Sequence, residues 1–227
     1  MSKAIVSWSG GKDSCLALYQ ALRQGYEIVA LLVMMNDKMP FSRSNGASKT
    51  VLVSQAKAID IPIHFVYSSW TDYETSLLAG LKELKQQYQA EACIFGDIDI
   101  IEHRKFEEKV VKAAGMTAHL PLWEQTRAVV SNAIIASGIK AKISVVRTTV
   151  MPNSFLGEDY HLLPFNQLEA MNIDVCGENG EFHTIVYDAP FFSRPIELGV
   201  KERHTIGDVE LCEFVVLKGA AKKGIGE

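Results

Sequence analysis

The chain has 227 residues, 48% of them apolar and 22% charged, with a net charge of −4 and a mean hydropathy of +0.06. That is enough chain for one large or two small domains around a real core, and it excludes the disordered class of low hydrophobicity and high charge. The mild acidity argues against broad nucleic-acid binding, and no apolar run reaches the ~18 residues of a membrane span.

The N-terminus enters the first apolar run at once, so no secretory leader is expected. The four cysteines, Cys15, Cys93, Cys176 and Cys212, are scattered with no C-x-x-C spacing. They suggest neither a zinc ribbon nor a redox pair and suit a reducing, cytoplasmic setting. There is no internal repeat.

Taken in order, Ala4 to Trp8 is a short apolar run that predicts a buried strand. Ser9-Gly10-Gly11-Lys12-Asp13-Ser14 follows, and Cys15 to Leu22 predicts a helix. Glu27 to Met35 is continuously apolar, as a strand covered on both faces is. Asn36 to Gly46 reads as a loop, Ser48 to Ile59 as a helix, Pro62 to Tyr67 as a strand and Thr71 to Tyr88 as a long helix with Leu77, Leu78, Leu81 and Leu84 buried. Ala92 to Phe95 is a fourth strand ending at Gly96-Asp97, Glu102 to Ala114 a helix, and His119 to Trp123 a fifth strand or its exit.

This alternation implies an α/β fold with a doubly wound, parallel five-stranded sheet. Right-handed crossovers then bring Ser9 to Ser14, the loop from Asn36 and Gly96-Asp97 to one sheet edge, where they should form one pocket.

From about Glu124 the texture changes. Gln125 to Ser137 predicts a helix, Lys140 to Val150 a strand, Pro152 to Tyr160 a loop and Phe165 to Met171 a short helix. Glu178 to Thr184 is a polar, glycine-containing segment. Ile185 to Tyr187, Ile196 to Lys201 and Val209 to Leu217 predict antiparallel strands. Gly219 to Glu227, with Lys222 and Lys223, reads as a frayed, solvated tail. A smaller C-terminal α+β lobe is therefore expected at 124–227, packed on residues 1–123.

Two motifs carry chemistry. In the first, glycines let the backbone turn sharply, and the free N–H groups of the following helix face the turn with the positive end of its dipole behind them. That is an anion site, most simply for phosphate, to which Lys12 adds charge and Ser9 and Ser14 add hydroxyls. Asp13 is repelled by phosphate unless it caps the helix or holds a metal. The spacing is not Walker A. In the second, Cys176-Gly177-Glu178-Asn179-Gly180-Glu181-Phe182-His183-Thr184, carboxylates, an imidazole and a hydroxyl lie together, suited to binding a metal or an amine or to acid–base work. A plain acidic loop would look the same.

The run Ser-Gly-Gly-Lys-Asp-Ser resembles the PP-loop of the ATP pyrophosphatases. The second motif, followed by Tyr187-Asp188-Ala189-Pro190-Phe191-Phe192, resembles the signature of the diphthine–ammonia ligase family of that superfamily. Gln55-Ala56-x-Ala58-Ile59-x-Ile61-Pro62, Arg104 with Glu108, Pro121-Leu122-Trp123 and Leu156-Gly157 fit the same family. The resemblance implies an adenine nucleotide alpha hydrolase-like fold with a nucleotide-binding domain at 1–123, ATP and Mg²⁺ as cofactors, and ammonia as co-substrate. It implies adenylation of a carboxylate followed by amide formation, with release of AMP and pyrophosphate. Ser9, Gly10, Gly11, Lys12 and Ser14 would hold phosphates, Asp13 would assist Mg²⁺, backbone groups at Leu32 and Met34 would meet adenine, and Gly96 and Asp97 would border the nucleotide. Glu178, Glu181 and His183 would serve the acceptor and ammonia, with Arg104, Trp123 and Thr184 on the substrate side.

After the fourth strand the family's ligases usually show Gly-Ala-Ile/Leu-x-Ser-x-Tyr-Gln-x-x-Arg. This chain instead has Ile100, Glu102, His103 and Phe106 at the serine, tyrosine, glutamine and later arginine positions. That stretch looks more like bacterial relatives, and bacteria lack diphthamide. Elongation factor 2 is therefore the implied acceptor only in a host that makes diphthamide. Asp97 and Asp99 are open to metal, amine or helix-capping readings. Trp123 is open to core or acceptor-pocket readings, Cys176 to packing or a nucleophile, and the chain to a monomer or a homo-oligomer. His64 and His119 read as satisfied histidines. A tRNA sulfur transferase, needing thiols and a basic face, and a non-catalytic nucleotide sensor are the rival functions.

Overall fold

The apolar run at 28–35 lies in the longest strand of the first sheet, beside its central strand. The computed structural model describes residues 1–217, so the expected frayed tail lies outside the described residues. Strands β1 (Lys3–Ser7), β2 (Glu27–Asn36), β3 (Ile63–Ser68), β4 (Ala92–Ile94) and β5 (Thr117–His119) are all parallel, in the order β3-β2-β1-β4-β5. The crossovers are helices α1 (Lys12–Arg23), α2 (Lys49–Ile59), α3 (Tyr73–Tyr88) and α4 (Ile101–Ala113).

Side chains of a strand alternate between faces, and here both faces are covered. Ala4, Val6, Leu31 and Val33 pack with Leu16 and Leu18 of α1 and Val51 and Leu52 of α2. Ile5, Ala30, Leu32 and Met34 pack with Leu77, Leu81 and Leu84 of α3 and Val110 and Val111 of α4. A strand buried this way has no polar positions, which is why 28–35 reads as an unbroken apolar run. The order of strands reverses between β1 and β4, and the crevice at that point is where such sheets take ligands.

After α5 (Arg127–Ala136) comes a second, antiparallel sheet of β6 (Lys140–Arg147), β7 (Phe182–Asp188), β8 (Leu198–Ile206) and β9 (Val209–Val216), in the order β7-β6-β9-β8. The short helix α6 (Phe165–Ala170) lies between β6 and β7. The expected strand to Val150 stops at Arg147, whose carbonyl accepts the N–H groups of Val150 and Met151 in a turn. The expected 152–160 loop holds a 3₁₀ turn at Asn153–Phe155. β5 ends at His119, and Pro121 to Trp123 are its exit. Phe182 to Thr184 do not form a loop. They open β7, paired with Val146, Val145 and Ile143 of β6.

The two sheets share one core. Ala141, Ile143, Phe182, Val186 and Phe214 belong to the same apolar cluster as the inner faces of α1 and α2, so those helices are sandwiched between the sheets. The fully buried Gln55 stitches the layers: its amide donates to the carbonyls of Gly10 (2.9 Å) and Val186 (2.7 Å) and accepts from Trp8 Nε1 (2.9 Å). The N–H of Val186 also donates to the Gly10 carbonyl.

Candidate active site

The turn between β1 and α1 is held from all sides. Gly10 has φ of +81°, and a Cβ there would stand 2.9 Å from Gln55 Oε1 and Leu52 Cδ2, so only glycine fits. The Gly11 N–H donates to Ser9 Oγ (3.2 Å), which lies 3.0 Å from Ser14 Oγ, and that hydroxyl donates to the Gly11 carbonyl (3.1 Å). Gly11 is the N-cap of α1 and has no side chain to cap with. The cap comes from the other sheet: Thr184 Oγ1 accepts the Lys12 N–H at 3.1 Å. Asn45 secures Thr184 by donating to its carbonyl at 2.8 Å. Gly96 presses against the helix start, where a Cβ would fall 2.7 Å from the Ser14 nitrogen.

These groups open onto a cavity of 480 Å³ at the C-terminal edge of the first sheet. Ser9, Lys12, Asp13 and Ser14 line one side, Gly96 and Asp97 another. Ser44 and Asn45 come from the loop after β2, and Cys176 to Glu178 in the turn before β7 and Phe182 to Thr184 at the start of β7 close it from the other side. The glycine loop and the acidic, imidazole-bearing segment thus face one space.

Lys12 is buried at 2% exposure. Its ammonium donates to Asp13 Oδ2 (2.7 Å) and to the Cys176 carbonyl, and lies 5.5 Å from the centroids of Tyr160 and Phe182. Burial works against its charge, but Asp13, Cys176 and Glu178 outweigh that and raise its pKa. Asp13 Oδ1 is buried with no partner. Burial and then Asp13 push the Glu178 carboxyl up to about 8, against the pull of Lys12 and Arg127. Burial, helped by Lys12 and Arg147, lowers His183 to about 4, so its imidazole is neutral at pH 7. The Cys176 thiol is pushed up to about 12, chiefly by burial, and stays protonated. The segment carrying Glu178 is tied down by Arg127, which pairs with Asp174 (3.0 Å), Asp99 (2.7 Å) and Glu178 (3.8 Å).

Two family profiles match almost the whole chain: the diphthamide synthase N-terminal domain over residues 2–118 and the diphthamide synthase C-terminal domain over 127–216. The chain belongs to the diphthamide synthase family. Among curated relatives of that family, the chain is 27% identical to the diphthine–ammonia ligase of Schizosaccharomyces pombe, over 88% of this chain but 37% of that longer protein. It is 28% identical to the diphthine–ammonia ligase of Mus musculus, over 86% of this chain and 82% of that one. Of solved structures, a predicted subunit of tRNA methyltransferase from Methanocaldococcus jannaschii aligns with a TM-score of 0.46 at 14% identity, covering 84% of this chain and 98% of that one.

Not every residue singled out from the diphthamide synthase motifs lines the cavity. Glu181 is 4% exposed and turned inward. Its Oε1 accepts from the Asp174 N–H (3.2 Å) and Asn179 Nδ2 (3.1 Å), so it braces the loop that presents Glu178. Arg104 pairs with Glu108 and lies 4.9 Å over the Trp123 ring, and neither Arg104 nor Trp123 is in the cavity wall. Leu32 and Met34 are buried in β2, and their carbonyls accept from the N–H groups of Trp8 and Arg43. Asp97 does not cap α4, whose N-cap is Ile100; it accepts from His103 Nδ1 at 2.8 Å, and Asp99 pairs with Arg127. His64 and His119 are satisfied by Tyr88 and Gln24.

His103 and Phe106 of α4, singled out in the stretch after the fourth strand, stand in the wall as well. Trp70 and Tyr73, from the loop after β3 and the start of α3, and Glu107 on α4 are wall residues that were not anticipated. The only signal for them was their position after a parallel strand's C-terminal end. Burial, then Asp97, pushes the Glu107 carboxyl up to about 11, so it is protonated at pH 7. Burial opposes the charge of Asp97, but His103 and Glu107 outweigh it and keep its pKa below the ordinary value.

Proposed function

We propose that the cavity binds ATP with its phosphates on the Ser9–Ser14 loop, and that the protein is an ATP-dependent ligase joining a carboxylate to ammonia. The observation that carries this reading is the meeting of that loop with Glu178, His183 and Thr184 in one cavity. The names of the curated relatives and the family membership support it. In this reading residues 1–123 bind the nucleotide and 124–227 form the substrate-binding lobe.

The serine hydroxyls and the first-turn N–H groups of α1 would donate to phosphate oxygens, and Lys12 would neutralise charge on them. Asp13 and Glu178 fit a hard cation: one has an unpartnered buried oxygen and the other stands in the same wall. Mg²⁺ held there would spread the charge of the phosphates. The acceptor carboxylate attacks the α-phosphorus, the bond to the bridging oxygen breaks, and pyrophosphate leaves with the electron pair. Ammonia then attacks the acyl carbon, the C–O bond to AMP breaks, and one proton is released. His183, neutral in the empty cavity, would take that proton once the nucleotide's negative charge raises its basicity.

A sulfur transferase would need a thiolate at the cavity. Cys176 is a buried thiol, and Cys93 is buried in the first sheet with its pKa also far above neutrality. Elongation factor 2 enters as acceptor only where the host makes diphthamide. The test is to incubate the protein with ATP, Mg²⁺, ammonium and a panel of carboxylates and identify the products. AMP with pyrophosphate supports the reading, and ADP with phosphate overturns it.

A further inference from the structure

Given the ligase reading above, the structure bears on how ammonia is made ready to attack. In water at pH 7 ammonia is almost wholly ammonium, which has no lone pair. An amide made from ammonium releases two protons, and His183 can hold only one of them. A second imidazole stands in the cavity wall: His103, in the first turn of α4, places Nδ1 2.8 Å from Asp97 Oδ1. Burial opposes the charge of Asp97, but hydrogen bonds from His103 and from the protonated Glu107 keep it ionised.

An ionised carboxylate only accepts, so Nδ1 is the donor and the neutral ring carries no proton on Nε2. Among the described residues Nε2 has no hydrogen-bond partner, and the side chain is 56% exposed. A carboxylate on one ring nitrogen with the other left open is the arrangement that orients a general base. The hydrogen bond to Asp97 raises the pKa of His103 against the effect of burial, and Asp97, Glu178 and Glu102 are the charges that face it. The other candidates are committed: Glu107 and Cys176 hold protons, burial keeps His183 near 4 in the empty cavity, and Glu178 stands with Asp13 at the proposed cation. Both members of the pair also depart from the ligase pattern, which has alanine at position 97 and glutamine at 103. Neither of those side chains takes a proton, and here the two departures meet in one hydrogen bond.

We propose that His103 is the base that converts ammonium to ammonia in this cavity, with Asp97 as its positioning residue. Nε2 takes one proton from ammonium, and the electron pair of that N–H bond stays on the nitrogen. The ammonia so formed bonds to the acyl carbon of the adenylate, and the C–O bond to AMP breaks with its electron pair leaving on AMP. His183 takes the second proton. The His103 imidazolium, held by Asp97 and open to solvent, returns its proton to water.

The test compares ammonium chloride with hydroxylamine, whose nitrogen is already unprotonated at pH 7. Both are supplied to the full chain with ATP, Mg²⁺ and the carboxylate that yields AMP in the panel above. His103→Gln and Asp97→Ala, shown by melting to be folded, should lower kcat/KM for ammonium by about a hundredfold. Hydroxamate formation from hydroxylamine should stay near wild type in both. Equal losses with the two nucleophiles, or no loss with ammonium, would overturn the proposal. Nitrogen NMR of the histidine-labelled chain without nucleotide should show the neutral His103 ring protonated at Nδ1, and Asp97→Ala should abolish that preference. A ring protonated at Nε2 would equally overturn it. The two readings fail differently. Wild type that makes ADP, or no product with either nucleophile, removes the ligase reading and this role with it. Wild type that makes AMP while its variants do not discriminate removes this role alone.

Discussion

The hydroxyl of Thr184 accepts the backbone N–H of Lys12 at 3.1 Å, across 172 positions of sequence. A helix whose own N-cap is glycine takes its cap from a strand of the other sheet. That single bond ties the first turn of α1 to the segment bearing Glu178 and His183. Replacing Thr184 with Val should therefore lower stability by about 1 kcal/mol, as loss of a cap does. Thr184→Ser should restore most of it. Urea denaturation of the three proteins measures the difference, and a Val variant as stable as wild type would remove the capping role.

Glu107 makes stability depend on pH. Its folded-state pKa of about 11 lies far above the ordinary carboxylate value of 4.5. A group raised in this way contributes its full stability below 4.5 and loses it as pH climbs toward the folded value. Between those limits wild type should fall relative to Glu107→Gln by up to about 1.4 kcal/mol per pH unit. Melting curves at pH 5 and pH 9 should show the Gln variant gaining on wild type at the higher pH. A constant offset would contradict the burial of a protonated carboxyl.

Glu181 and Glu178 should separate in mutagenesis. Glu181→Gln keeps the oxygen that accepts from Asp174 and Asn179, so AMP formation and thermal stability should both be largely retained. Glu181→Ala removes the brace and should reduce both. Glu178→Gln should leave stability near wild type and cut AMP formation, because that carboxyl faces the cavity. A Glu181→Gln protein that is stable but inactive would return Glu181 to the chemistry.

Gly96→Ala places a methyl 2.7 Å from the Ser14 nitrogen and 2.8 Å from the Asp13 carbonyl carbon. Neither is the movable end of a side chain, so the loop after β4 must shift. Overpacking of this kind costs about 1–3 kcal/mol. ATP affinity should fall with it, measured by calorimetry, because the displaced backbone is the proposed phosphate cradle.

Arg127→Met should raise Glu178 further above about 8, since Arg127 is one of the two cations that hold it down. Carboxyl-carbon NMR of the labelled residue follows that titration. An unchanged midpoint would mean that the 3.8 Å approach carries no electrostatic weight.

Much of this molecule could be read locally. The apolar run at 28–35 announces a doubly covered strand because both faces of β2 meet helices. The strand, glycine turn and helix start at 4–22 form a contiguous unit whose backbone demands lie within a few residues of one another. Gln55 is less transparent: it is a polar residue on a helix until three partners, from the β1–α1 turn and from β7, surround it.

Side-chain direction at the cavity was beyond local patterns. Glu107 sits among Glu102, Lys105, Glu108 and Lys109, and nothing in that run distinguishes the one carboxyl that turns into the wall. Glu178 and Glu181 share a motif, yet one faces the cavity and the other braces the loop, because β7 begins at Phe182 and pairs with β6. Periodicity and turn chemistry act over a few residues, so element types and the glycine turn before α1 are written in neighbouring positions. Which carboxyl is buried, what caps α1 and what closes the cavity depend on how a helix is rotated on a sheet and on strands distant in the chain. Those choices are made only when the whole core packs.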